Sequence, residues 1–200
     1  MSGTGGQQGG FVGEVQTEWL RHKGADRHMR LLSDFTFIEQ SGKKWVAKKG
    51  TLIDGASIPK ILWRWGPPFV GDYRRASVVH DAYTNWNGRT EPWRDTHRMF
   101  YYGCRADGVS YLKAKLMFAA VYIFGPKWEN PLIGGLEFHN EALNTQGAIM
   151  TQTLNKGELQ TYMEDADFNE LEEWVLTNNP DLQEIEKRAE TNMKLLYRAR

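Results

Sequence analysis

The stretch Ala76-Ser77-Val78-Val79-His80-Asp81 marks a change of rhythm in the chain. From Asp72 to about Trp86 apolar residues recur at helical spacing, through Ala76, Val79 and Tyr83, and Asn87-Gly88 supplies a stop. Upstream the pattern is that of short strands. Phe11 to Trp19, His28 to Glu39 and Lys44 to Ile53 read as strands, with Ser41-Gly42 and Lys43-Lys44 as a turn between the last two. A small antiparallel β element over residues 11–53 is therefore expected. Asp54-Gly55 ends it, and Gly66-Pro67-Pro68 breaks the chain again after a short helical or turn segment around Ile61 to Trp65.

Downstream, Trp93, His97, Phe100 and Cys104 share one face of a helix running from Pro92 to about Arg105. Leu112, Leu116, Ala119, Ala120 and Ile123 form a third stripe from Ser110 to Phe124, closed by Gly125-Pro126. Helices joined this closely normally pack on one another, which makes residues 54–139 a helical core. Asn140 to Gly157 reads as a linker. Two amphipathic helices follow, one edged by Phe168, Leu171, Trp174 and Val175. The other opens at Asn179-Pro180 and carries Leu182, Ile185, Ala189 and Leu196. The expected fold class is α+β: an N-terminal β element, a helical core and a helical appendage over residues 140–200.

Two hundred residues suit one domain with such an appendage. The net charge of zero hides an asymmetry. Residues 1–139 hold 19 Lys and Arg against 13 Asp and Glu, whereas residues 140–200 hold 6 against 12. A basic body with an acidic tail suits an anionic surface or ligand; it equally suits two parts that complement each other. The single cysteine, Cys104, excludes an intramolecular disulfide and a cysteine-based zinc site and fits folding in the cytoplasm. Residues 1–10 read as a flexible leader and not as a signal peptide. The longest apolar run, Leu116 to Phe124, is well short of the roughly 20 residues of a membrane span.

Chemistry concentrates in three places. A neutral imidazole suits general-base work near neutral pH, and a carboxylate is a hard ligand for calcium, so His80 with Asp81 could activate water beside a cation. The plainer reading is a histidine packed between helices with a surface aspartate. Asp54-Gly55-Ala56-Ser57-Ile58-Pro59 could offer a carboxylate and carbonyls to the same ion, or it could be a turn closed by Asp54. Asp95 and His97 lie about 200° apart around a helix. His97 falls on the apolar stripe and should point inward toward His80; Asp95 should face solvent, within reach of Arg94 and Arg98.

Taken in order, these blocks resemble a family of unknown function common in phage and proteobacterial genomes. Its pattern runs Gly-Phe-x-Thr-Asp-x-Ala-Ser-x-Pro, Ala-x-x-x-His-Asp, Ala-Asp-x-x-Phe and an aliphatic segment ending in Phe-Gly. The matching positions are Gly50, Asp54 to Pro59, Ala76 to Asp81, Arg98 to Phe100 and Ala119 to Gly125, spread over residues 11–128. More distantly, the order resembles bacterial secreted phospholipase A2. That resemblance implies a phospholipase-A2-like core with His80 as general base, and Asp54, Gly55 and Asp81 as calcium ligands. His97 stands where both families carry an aspartate, the residue that orients the base.

Two functions follow from these readings. One is a calcium-dependent ester hydrolase working at an anionic phospholipid surface, with Trp63, Trp65, Trp86 and Trp93 as an interfacial face. The other is a non-catalytic phage structural or accessory protein, virion-associated or released, that docks on a protein partner through residues 158–200. Specific nucleic-acid binding is not expected: Lys43-Lys44 and Lys48-Lys49 come without a recognition motif.

Overall fold

The computed structural model describes residues 9–20, 28–53, 71–128, 159–162, 165–192 and 194–197. Each of the three expected N-terminal strands is present but bent into two. The first gives β1 (Gly10–Val12) and β2 (Thr17–Trp19), the second β3 (Met29–Leu31) and β4 (Phe35–Ile38), the third β5 (Lys44–Ala47) and β6 (Leu52–Ile53). One half of each segment enters a sheet of order β1-β4-β5, and the other half a sheet of order β2-β3-β6, all antiparallel. Glycine makes two of the bends: Gly13 and Gly50 hold φ at +88° and +86°, where a side chain would be strained. The Asp34 carboxylate supports the middle bend by accepting the Lys49 backbone N–H at 2.8 Å.

The alternation of the strands sends Met29, Leu31, Phe35, Phe37, Trp45, Ala47 and Ile53 inward. They meet Val78, Val79 and Ala82 of α1 (Arg74–Thr84) and Met99 of α2 (Trp93–Ala106). α2 lies close on α1 because Gly103 faces Ala76; a Cβ at Gly103 would come within 2.9 Å of the Ala76 Cβ. α3 (Tyr111–Phe124) follows, and every residue from Ala114 to Ile123 is buried. A helix apolar all round must be covered on more than one side.

The tail provides that cover. α4 (Asp165–Asn178) and α5 (Leu182–Asn192) place Leu171, Val175, Ile185 and Ala189 in the same core cluster as α3. Asn179, in the left-handed region at φ 48°, and Pro180 separate the two helices. Asp181 and Glu184 then start α5 by exchanging backbone N–H bonds at 2.8 Å in both directions. Lys115, buried in α3, reaches the Asn179 side-chain oxygen at 2.6 Å. Arg98 grips Glu186 with two bonds of 2.7 and 2.6 Å, and Arg94 reaches Glu190 at 2.9 Å. Of the two sequence readings of the charge asymmetry, acid meeting base within the chain is thus realised here. Arg94 and Arg98 serve the tail, and Asp95 is half-buried rather than fully in solvent.

One expectation is corrected. Leu196 does not continue the last helix; it lies in β8 (Lys194–Tyr197), opposite Gln160 of β7 (Leu159–Tyr162). The spacing from Ala189 is helical, but Leu195-Leu196-Tyr197 is also a short apolar run, and a partner strand settles such runs. The turn around Ile61 to Trp65 and the linker at 140–157 lie outside the described residues, as do residues 129–139 and all but the end of the leader. Among the described residues no helix is long and apolar enough to cross a membrane.

Candidate functional site

Helical spacing places His80 on the inward face of α1, four residues after Ala76, and His97 on the inward face of α2, between Trp93 and Phe100. Where the two helices meet, His80 Nε2 lies 2.8 Å from His97 Nδ1. Both side chains are completely buried. Only one hydrogen fits between two such nitrogens, so one ring donates and the other accepts. Burial holds the pair neutral: it pushes the His80 pKa down to about 3. It also pushes His97 well below its ordinary range, helped by the nearness of His80 and Lys127.

The other nitrogen of His97, Nε2, is buried without a hydrogen-bond partner. The Pro126 carbonyl lies near enough to favour a proton there, although it falls short of hydrogen-bonding geometry. With that proton on Nε2, His97 Nδ1 accepts and His80 Nε2 donates, which puts the His80 lone pair on Nδ1.

Three residues complete the wall around His97. The Trp93 ring meets the imidazole edge-on at 5.5 Å. Gly125 presses its backbone on the ring, so that a Cβ there would stand 3.0 Å from His97 Cε1. Lys127, fully buried, donates to the carbonyls of Ile123 at 2.7 Å and Gly125 at 3.3 Å, closing the end of α3. Desolvation, with Arg94 next in weight, pushes its pKa down to about 7. Sequence reasoning missed the role of Lys127, because nothing in the pattern distinguishes it from solvated lysines. Gly125 was visible as a helix terminator but not as a packing partner of His97.

Asp81 is as buried as His80, so the plainer reading of a surface aspartate is excluded. A carboxylate there belongs to the interior and must be satisfied within it. Asp54 and Gly55 lie outside the described residues. The strand that leads to them ends at Ile53, packed on Val78, Val79 and Ala82, and Asn85 at the end of α1 donates to the Leu52 carbonyl at 2.5 Å. The chain thus leaves the sheet alongside α1. Among the described residues no three His, Cys, Asp or Glu side chains are grouped to hold a metal ion. Of the expected calcium ligands only Asp81 is among the described residues, one residue after His80 on α1, and a single carboxylate does not make a calcium site. Trp93 is buried and belongs to the core, not to an interfacial face.

The segment that builds this arrangement is also the segment shared with other proteins. Residues 29–121, from β3 into the last turn of α3, match a family described as protein of unknown function (DUF1353). Two relatives come from Sinorhizobium fredii (strain NBRC 101917 / NGR234). The uncharacterized protein y4jT is 50% identical over 134 residues, covering 63% of this chain and 39% of the relative. The uncharacterized protein y4iH is 45% identical over 102 residues, covering 50% of this chain and 42% of the relative. The chain thus spans about two fifths of the curated relatives it matches. No solved structure matches it.

Proposed function

We propose that the domain is a histidine-based ester hydrolase of phospholipase A2 type in which His80 is the general base and His97 positions it. The observation that carries this reading is the 2.8 Å contact between His80 Nε2 and His97 Nδ1, with the buried Asp81 one residue further along the helix. His80 Nδ1 would take a proton from water attacking an ester carbonyl, and the resulting imidazolium would be held in place by its bond to His97. His97 supplies orientation without negative charge, and with burial holding the His80 pKa at about 3, the base is a weak one. A slow enzyme is the expected result. Calcium, when held by Asp81, Asp54 and the Gly55 carbonyl, would polarise the ester carbonyl and stabilise the oxyanion. The substrate surface would be anionic phospholipid.

The experiment is fatty-acid release from mixed zwitterionic and anionic liposomes, with calcium or chelator. Calcium-dependent release should fall by about a hundredfold or more in His80→Ala and rise in His97→Asp, which restores a carboxylate. Absence of release from the folded protein and from His97→Asp would overturn the reading.

One observation favours a second reading, in which the fold is kept without the chemistry. Both imidazoles are neutral, closed off from solvent and without an aspartate at position 97. The protein would then be a phage structural or accessory component, carried on a virion or released, with a partner on its tail. The tail's inner edge is spent on α3, so the docking residues would be outward ones such as Leu176, 49% exposed. Charge substitution at Leu176 should then abolish association while leaving the fold intact.

A further inference from the structure

One to two turns beyond His97 along α2, toward the turn into α3, lies a cleft of about 590 Å³. That volume is within the range of small-molecule sites, roughly 300–1,000 Å³. Its helical wall is aromatic. Tyr101 and Tyr102 set their rings 5.4 Å apart at 71°, forming a corner, and Tyr111 stands across from them at the start of α3. Gly108, at φ +88°, turns the chain between the helices and brings Tyr111 beside Arg105. The Arg105 guanidinium lies flat on the Tyr111 ring, 3.5 Å from its centre. Tyr102 and Tyr111 are 40% and 54% exposed, so both rings are open to solvent.

The facing wall is polar and comes from the β4–β5 turn, with Glu39, Gln40 and Ser41. Glu39 is not a loose surface acid. Its two oxygens accept from Trp45 Nε1 at 2.6 Å and Ser41 Oγ at 3.2 Å, which holds the carboxylate in place. Each carboxylate oxygen keeps accepting capacity beyond these bonds.

Aromatic faces opposite planar hydrogen-bonding groups suit a ligand with apolar C–H faces and hydroxyl edges. A pyranose ring has both: its axial C–H groups can rest on the negative face of a tyrosine, and its hydroxyls can bond to carboxylate, amide and guanidinium. The lining charges, one acid and one base, cancel. A single-stranded nucleic acid would want a basic groove without Glu39. A quaternary ammonium would be repelled by the Arg105 guanidinium that stands among these rings. We infer that the cleft between Tyr101, Tyr102, Tyr111 and the Glu39–Ser41 turn binds an uncharged glycan. This assignment is independent of ester hydrolysis at His80.

The test is NMR titration of the full chain with soluble trisaccharides: β-1,4-linked glucose, β-1,4-linked N-acetylglucosamine and α-1,4-linked glucose. At least one should produce saturable shifts at residues 39–41 and 101–111. Tyr102→Ala and Tyr111→Ala, both at exposed positions, should each weaken that binding by about tenfold or more with unchanged melting temperature. Co-sedimentation with cellulose, chitin or starch separates a polymer target from a free oligosaccharide. No shift at these residues with any trisaccharide overturns the inference. So does binding that both alanine variants retain, or shifts produced by phosphocholine or oligo-dT and by no sugar.

Discussion

Gly125 and His97 touch through backbone and ring: a Cβ added at Gly125 would stand 3.0 Å from His97 Cε1 and 3.2 Å from Nε2, and would also run into the Val121 carbonyl oxygen. The φ of Gly125 is −72°, which any residue can adopt, so the requirement for glycine here is purely one of space.

Gly125→Ala should therefore destabilise the fold by about 1–3 kcal/mol, the usual cost of overpacking a tight interior. Urea denaturation measures it. An unchanged midpoint would mean that the end of α3 yields without disturbing the imidazole.

The histidine pair should make stability depend on mildly acidic pH. Both folded imidazoles sit below their ordinary value of 6.5, so the unfolded chain binds more protons once pH drops beneath it. The pair's contribution is complete above about pH 6.5 and is lost progressively as pH falls, for His80 toward its folded value of about 3. The slope is at most about 1.4 kcal/mol per pH unit for each ring. Between about pH 6.5 and 5, before most carboxylates titrate, His80→Asn with His97→Leu should flatten the dependence. A slope unaltered by the double substitution would assign it to other groups.

Lys127 should act in the opposite range. With its folded pKa near 7 against an ordinary 10.5, the folded protein sheds this proton first, and stability rises as pH increases across that window. Lys127→Met should remove the rise between about pH 7 and pH 8, below the range where the cysteine and the tyrosines ionise. Chemical denaturation across the window reads the slope directly, whatever the variant does to absolute stability.

Arg98 and Glu186 fasten the tail to α2 with a two-point bond, the arginine about one-third exposed and the glutamate nearly buried. Partial exposure of the arginine limits what screening leaves. A double-mutant cycle with Arg98→Ala and Glu186→Ala should return a coupling of about 1 kcal/mol, weaker at high salt. Zero coupling would leave the apolar contacts of Leu171, Val175, Ile185 and Ala189 as the whole attachment.

Much of this was legible in the residues. The helical stripe through Trp93, His97, Phe100 and Cys104 located α2 and pointed His97 inward toward His80, because a period of 3.6 specifies a face as well as an element. The strand pattern showed three antiparallel segments. It did not show that each would bend into two sheets, since a glycine at positive φ looks in sequence like any other glycine. Leu196 failed for a different reason: pairing between β7 and β8 is non-local, and helical spacing carries no information about a partner strand. The burial of Asp81 was hidden because α1 is enclosed on several sides by elements distant in the chain. The Asp54 loop, at which the resemblance points most directly, lies outside the described residues.

The all-round burial of α3 has a consequence for how the chain must be made. During synthesis Ala114 to Ile123 emerge well before α4 and α5, and for that interval the flank that Leu171, Val175, Ile185 and Ala189 pack against lacks their cover. A nascent chain released or cut ahead of residue 165 would present this flank to its neighbours, and would be a natural client for chaperones or a seed for aggregation. Completion of the tail is thus a quality checkpoint. The cover that α3 needs is supplied by α4 and α5, although the histidine pair and its sheet are encoded far upstream.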